Sequence, residues 1–206
     1  MPKPTGDAAR GREAVEAALL EAAGDLLAEV GPRAATVRDI AARAGVNHAQ
    51  VHHYFGGKRA LLLAAMEHMA AQHFEAMRAL SSGPVPPPLT LPDDQRYWWA
   101  IVRATIEGDL ELAGVEVEAG TSVIRNVMDH AVRRFGLAEP TVEMKAASAE
   151  LAAVNLGWLT MEKFILMAVG VQPDEEELVR DRVRRSVAQR RLQPPDGVPF
   201  YSRRPA

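Results

Sequence analysis

The spacing of the apolar residues constrains this chain more than any other feature. In the first stretch, Val15, Leu19, Ala22, Leu26 and Val30 recur at intervals of three and four, which makes one face of a helix apolar. The same period continues beyond it. Sustained apolar/polar alternation, the mark of a half-buried strand, is nearly absent. Helices with one apolar face must bury it on other helices, so the expected fold is all-α. With 206 residues, 48% of them hydrophobic, the chain is long enough for one large or two small cores.

Punctuation divides the helices. Gly31-Pro32 ends the first. Thr36 can cap a short second helix with Asp39 in its first turn, and Gly45 stops it. Asn47 can cap a third over residues 47–54, with Val51 as its inward anchor. Gly56-Gly57 interrupts, and a fourth helix is expected over residues 58–80, with Leu61, Leu62, Ala65, Met69 and Met77 for packing. The run "SSGPVPPPLTLPDD", residues 81–94, holds too many prolines for a helix and reads as a linker. Further helices are expected at about residues 95–107, 121–135, 141–169 and 174–192. Residues 108–120 are acidic and glycine-spaced, which leaves short helix and loop both open. The start, about residues 1–9, and the proline-rich tail, residues 193–206, read as disordered or extended.

Zero cysteines exclude a disulfide framework, a thiolate zinc site, an iron–sulfur cluster and a cysteine nucleophile. No run of about 18 uninterrupted apolar residues occurs, and the N-terminus has no apolar signal core. The expectation is a cytoplasmic protein with no membrane partner. The net charge of −3 does not advertise a polyanion partner either. Locally the balance differs: between Val37 and Ala60, Arg38, Arg43, Lys58 and Arg59 face the single acid Asp39.

That basic window contains "GVNHAQVHHYFGGK", with three of the chain's six histidines in six positions. Two short helices joined at a glycine, the second polar over one apolar anchor, form a helix-turn-helix, whose second helix can enter a DNA major groove. Asn47, His48, Ala49, Gln50, His52 and His53 suit such a face, because they offer donors, acceptors and a methyl group without bulk. His48 and His52, four apart on one helix face, would also suit two metal ligands of a metal-dependent protein or enzyme. A third ligand is not evident nearby, and no nucleophile or positioned acid accompanies His53 and Tyr54.

The segment "TVRDIAARAGVNHAQVHHYFGGKRALL" resembles the DNA-binding segment of the TetR family of bacterial transcriptional repressors. It carries Thr36, Ile40, Ala41, Gly45, Val46, Val51, Tyr54, Phe55, Lys58 and Leu61 at the places of that family's pattern. The resemblance covers roughly residues 12–69. It implies that His48, Ala49 and His52 face bases, and that Thr36, Arg38, Gln50, His53, Tyr54 and Lys58 lie near phosphates. It also implies a variable helical domain that binds a small ligand and dimerises. Two departures stand out. His52 replaces a common tyrosine, which bears on the operator sequence. Gly56-Gly57 replaces a common polar residue, which would loosen the start of the fourth helix and the grip of Lys58.

The resulting division is a DNA-binding domain at residues 1–57 and a helical ligand-binding and dimerisation domain at 58–192. In the latter, Trp98, Trp99, Val102, Ile106, Val127, Met128, Trp158 and Met161 offer an apolar, adaptable lining, and Asn155 a polar group inside an apolar run. Residues 151–171 are apolar nearly all round, which suits a helix covered on both sides by a second subunit. The expected protein is a homodimeric, non-enzymatic repressor of a palindromic operator. Its partners are double-stranded DNA and a small apolar organic effector, and no cofactor is expected.

Overall fold

The computed structural model describes residues 6–83 and 85–190, with side chains from Gly11 onward. The described residues form ten helices and no strand, in agreement with the all-α expectation. Of the start expected to be disordered, residues 6–9 belong instead to the first helix, while residues 1–5 and the tail at 193–206 lie outside the described residues. The helices are α1 (Gly6–Ala34), α2 (Val37–Arg43), α3 (Ala49–Phe55), α4 (Lys58–Ala79), α5 (Arg96–Ile106), α6 (Leu110–Ala113), α7 (Val115–Glu118), α8 (Val123–Phe135), α9 (Val142–Ala168) and α10 (Glu176–Gln189).

Local chemistry accounts for the boundaries. Gly31 breaks α1 at φ 85, ψ 170, as its position before Pro32 predicts, but one more turn follows the kink. Proline explains the restart, because its fixed φ and missing N–H suit the first position of a helical turn. Thr36 caps α2: its Oγ1 accepts the Asp39 N–H at 3.1 Å and donates to the Asp39 carboxylate at 2.5 Å. Gly45, at φ 67, closes α2 by donating to the Ala42 carbonyl, while the Val46 N–H reaches the Ala41 carbonyl. Residues 108–120 resolve into two four-residue helices with Gly114 between them.

The chain groups into two compact units. One contains the chain up to Glu75 together with Asp93–Ser122; the other contains Ala76–Pro92 and the chain from Val123 on. In the first unit, Leu19, Leu27, Ile40, Val51, Leu61, Met66 and Leu112 are fully buried. Each such side chain contributes about 1.5–3 kcal/mol relative to exposure. Tyr97, Ala100 and Ala104 of α5 join this core, where α5 lies along α1. A Cβ on Gly24 of α1 would stand 2.8 Å from the Met69 Sδ of α4, so the flexible methionine side chain would have to shift to admit it.

The second unit is thinly packed. Ala131, Val132 and Met144 form a small cluster with Phe135 and Leu137 against it. Helix α10 is tied to α9 by Arg180, whose guanidinium donates to Glu162 at 2.6 Å. Helix α9 has the length and hydropathy that a membrane span would need. Glu162 and Lys163 interrupt its apolar sequence, and the first of these is neutralised by Arg180 within the unit.

Candidate nucleic-acid interface

Val51 is 0% exposed and pins α3 to the first unit's core, alongside Ile40 and Ala41 of α2. With that side fixed, a helix of 3.6 residues per turn must present its other positions outward. Asn47, His48, Ala49, His52 and His53 are exposed, and Gln50 is half-buried. The Asn47 Oδ1 accepts the Ala49 N–H at 2.9 Å, so the capping role falls on Asn47, one residue ahead of the formal cap His48. Tyr54 and Phe55 are half-buried against the core. The Tyr54 ring meets His53 edge-on at 4.8 Å, and the Arg12 guanidinium lies 5.8 Å above it.

The flanking cations divide. Arg38 is exposed and has no ion pair among the described residues. Arg43 is exposed but engaged, bidentate to Glu29 with both contacts at 2.7 Å, and its pKa is raised chiefly by that hydrogen bonding. Lys58 is half-buried, with Nζ 3.4 Å from the Arg33 carbonyl. The first turn of α4 is closed by the Leu61 N–H on the Gly57 carbonyl at 3.2 Å, so the two glycines do not loosen it. Thr36 is exposed beside its cap. Among the described residues, no group of three or more histidine or carboxylate side chains could hold a metal ion. The metal reading of His48 and His52 therefore gains no ligand from the fold.

Sequence reasoning missed a charged clasp on the same unit. Arg59 donates to both Asp109 oxygens, at 2.5 and 2.9 Å, and to Glu111 at 2.6 Å. Hydrogen bonds from Arg59 hold the Asp109 carboxyl below its ordinary range, and those to Asp109 and Glu111 raise the guanidinium. Glu107 accepts the Arg33 backbone N–H at 2.9 Å, and its carbonyl accepts from the Arg33 side chain at 3.0 Å. A Cβ on Gly31 would stand 2.3 Å from the Glu107 carboxylate, which adds a steric reason for glycine to that of φ. Arg33, Arg59, Glu107 and Asp109 border an open cleft of about 590 Å³ reaching Lys58 and Leu62. The acidic composition of residues 108–120 was the only available signal.

A second network fastens α5 to α1. Arg96 bonds Asp94, Glu21 at 2.7 Å and Asp25 at 3.0 Å. Tyr97, buried, donates to the Glu116 carboxylate at 2.5 Å, and burial followed by that carboxylate pushes its pKa up. His73 packs on Tyr97 with ring centroids 4.9 Å apart, and burial lowers its pKa against a weaker opposing pull from Asp94.

The nine candidate ligand residues are distributed over both units, and none lines the cleft. In the first, Trp98 is buried with its indole N–H unpartnered, Val102 is half-buried, and Trp99 and Ile106 are exposed, Ile106 to 79%. In the second, Val127, Met128 and Trp158 are half-buried and Met161 is exposed. Asn155 is occupied at both ends of its amide: Oδ1 accepts the Leu89 N–H at 2.9 Å, and Nδ2 donates to the Leu151 carbonyl at 2.7 Å.

An exposed polar α3 held by a buried valine, beside a capped α2 and a glycine turn, has the arrangement of a helix-turn-helix. Residues 19–65 match the family described as "Bacterial regulatory proteins, tetR family". The chain is 30% identical over 177 residues to the HTH-type transcriptional repressor Rv3405c of Mycobacterium tuberculosis, covering 86% of this chain and 87% of that one. It is 42% identical over 69 residues to the HTH-type transcriptional regulator BetI of Brucella canis, 34% of this chain and 32% of that one. Among solved structures it resembles a Saccharomonospora viridis protein, proposed to be a transcriptional regulator and bound to choline. That match has a TM-score of 0.56 at 17% identity, over 84% of this chain and 93% of the other, and speaks to fold alone. The chain belongs to the TetR family of bacterial transcriptional regulators.

Proposed function

We propose that this regulator is a ligand-responsive, non-enzymatic repressor that works in the cytoplasm, binds a palindromic operator as a homodimer and is released by a small apolar molecule. The observation that carries the reading is the outward face of α3, held by Val51 at 0% exposure. In this reading residues 1–57 read DNA and residues 58–192 bind effector and dimerise. His48, Ala49 and His52 meet base edges. Asn47 supports the turn, while Thr36, Arg38, Gln50, His53, Tyr54 and Lys58 lie near phosphates, which fix register and carry the salt dependence.

The dimer reading is supported by apolar side chains left uncovered on α9 and α10: Phe164 is 55% exposed, Met167 70% and Leu178 58%. Two copies of this helix pair make a four-helix interface related by a two-fold axis. Effector binding acts by population shift, since an effector can move the equilibrium only by its difference in affinity for the two states. The proposed transmission element is α4, clasped on its first turn by Asp109 and Glu111 through Arg59. Trp98, Trp99, Val102 and Ile106 in one unit, and Val127, Met128, Asn155, Trp158 and Met161 in the other, are the effector candidates.

A gel-shift titration against the DNA flanking the chain's own gene tests this. Retardation at low salt, weakening as salt rises and relieved by an apolar effector, is the expected result. Choline, bound by the Saccharomonospora viridis protein, belongs in the same titration as a cationic comparison. Absence of retardation at every salt level overturns the reading.

A further inference from the structure

Tyr54 has a neighbour that the helix-turn-helix itself does not supply. The guanidinium of Arg12, from α1, lies over the Tyr54 ring, 5.8 Å from its centroid. His53 meets the same ring edge-on at 4.8 Å. Helix α1 thus adds a cation beside the last turn of α3, where His52 and His53 stand. The Glu16 carboxylate accepts from the Arg12 Nε at 2.7 Å, while Nη1 and Nη2 have no hydrogen-bond or ion-pair partner among the described residues. The Arg12 side chain is 65% exposed.

A helix-stabilising pair is the plain reading of Arg12 and Glu16, but it explains little. Exposed pairs four residues apart contribute weakly, and less when the base precedes the acid. Nor does that reading account for a guanidinium laid over an aromatic face. Ring and carboxylate together restrain the planar fork and leave its terminal N–H donors free, which suits a tetrahedral anion. Resting on the proposed role of α3 in reading DNA, we infer that Arg12 is a further backbone contact. Its terminal amino groups and the Tyr54 hydroxyl hold one operator phosphate between them, so that α1 as well as the helix-turn-helix fixes the register of the head.

The test uses the full-length chain and an operator that wild type enriches from a randomised duplex pool. Removing Arg12 alone would leave the Glu16 charge to repel DNA, so the informative variant is Arg12→Gln with Glu16→Gln, which keeps the net charge. It should bind about tenfold more weakly, and equally so on every single-base-pair variant of the operator, because a phosphate contact carries no base identity. The slope of log affinity against log salt should fall by about 0.9 per head. Arg12→Lys retains a cation and should retain the slope. Uncharged methylphosphonate is then placed at each backbone position in turn. The gap between wild type and the double variant, and that between wild type and Tyr54→Phe, should close at the same phosphate of each half-site. Unchanged affinity, a loss that survives every neutralised phosphate, gaps that close at different phosphates, or a lower unfolding midpoint with the salt slope intact would overturn the assignment of Arg12 and leave the DNA-binding reading standing. A wild-type chain that enriches no sequence would overturn both.

Discussion

The two compact units solve the same packing problem with different success. The first surrounds Leu19, Leu27, Leu61, Met66 and Leu112 completely, whereas the second buries little beyond Met77, Ala131, Val132, Met144, Leu166 and Val187 and leaves Phe164 and Met167 in water. A helical unit that does not cover its own apolar faces is finished by something else, and in this family's architecture a second copy is the economical answer. On the proposed dimer reading, the stability of the second unit depends on protein concentration and that of the first does not.

Three perturbations sharpen or break that contrast. The largest effect is expected from Leu27→Ala, which removes a fully buried side chain and should cost about 3 kcal/mol in thermal or denaturant unfolding, whatever the protein concentration. By contrast, Phe164→Asp with Met167→Asp should leave that unit's stability unchanged and turn a concentration-dependent dimer into a monomer in sedimentation experiments. If both variants sediment and melt alike, the comparison fails.

Next comes acidification of the first unit. Burial holds His73 below its ordinary value of 6.5, so the unfolded chain takes up that proton more readily than the folded one. Stability is therefore full above about pH 6.5 and falls as pH drops below it, toward the folded-state value. Melting curves between pH 7 and pH 5 should show this loss in wild type and not in His73→Phe. The carboxylates Asp94, Glu21 and Asp109 are depressed by their arginine partners, so their contribution persists above about pH 4 and goes only at lower pH. The two windows are distinct.

The smallest effect on stability, at most about 1 kcal/mol, is expected from Asp109→Asn with Glu111→Gln, because partly exposed pairs contribute little. Its consequence should lie in signalling. The variant should bind operator as wild type does without effector and need more effector for release. An unchanged effector curve in the gel-shift assay would remove the clasp from the transmission path.

Much of the head was legible because its signals are local. Thr36, Gly45 and Gly31 act through hydrogen bonds and φ angles within a few residues of themselves, so their types at their positions suffice. Val51 followed from the same logic. The clasp was not legible, because Arg59 and Asp109 lie 50 residues apart and nothing in either neighbourhood names the other. The two short helices of residues 108–120 lack the length for a periodic signal. His73 is different: it continues the stripe Met66, Met69, Ala70 and Met77 at helical spacing, so counting along the helix places it inward. Of the candidate ligand positions, Asn155 shows the limit most plainly, since its apolar surroundings said that it needed a partner but could not say that the partner was Leu89.

The first unit is interrupted in sequence, leaving after Glu75 and returning at Asp93. A gene fragment ending at residue 57 would carry α1 without Tyr97, Ala100 and Ala104, the side chains that cover it, and would offer solvent a greasy flank instead of a finished surface. Anyone grafting this reader onto another sensor would do better to move residues 1–122 as a block, taking the intervening excursion along, than to cut where the proposed DNA contacts stop.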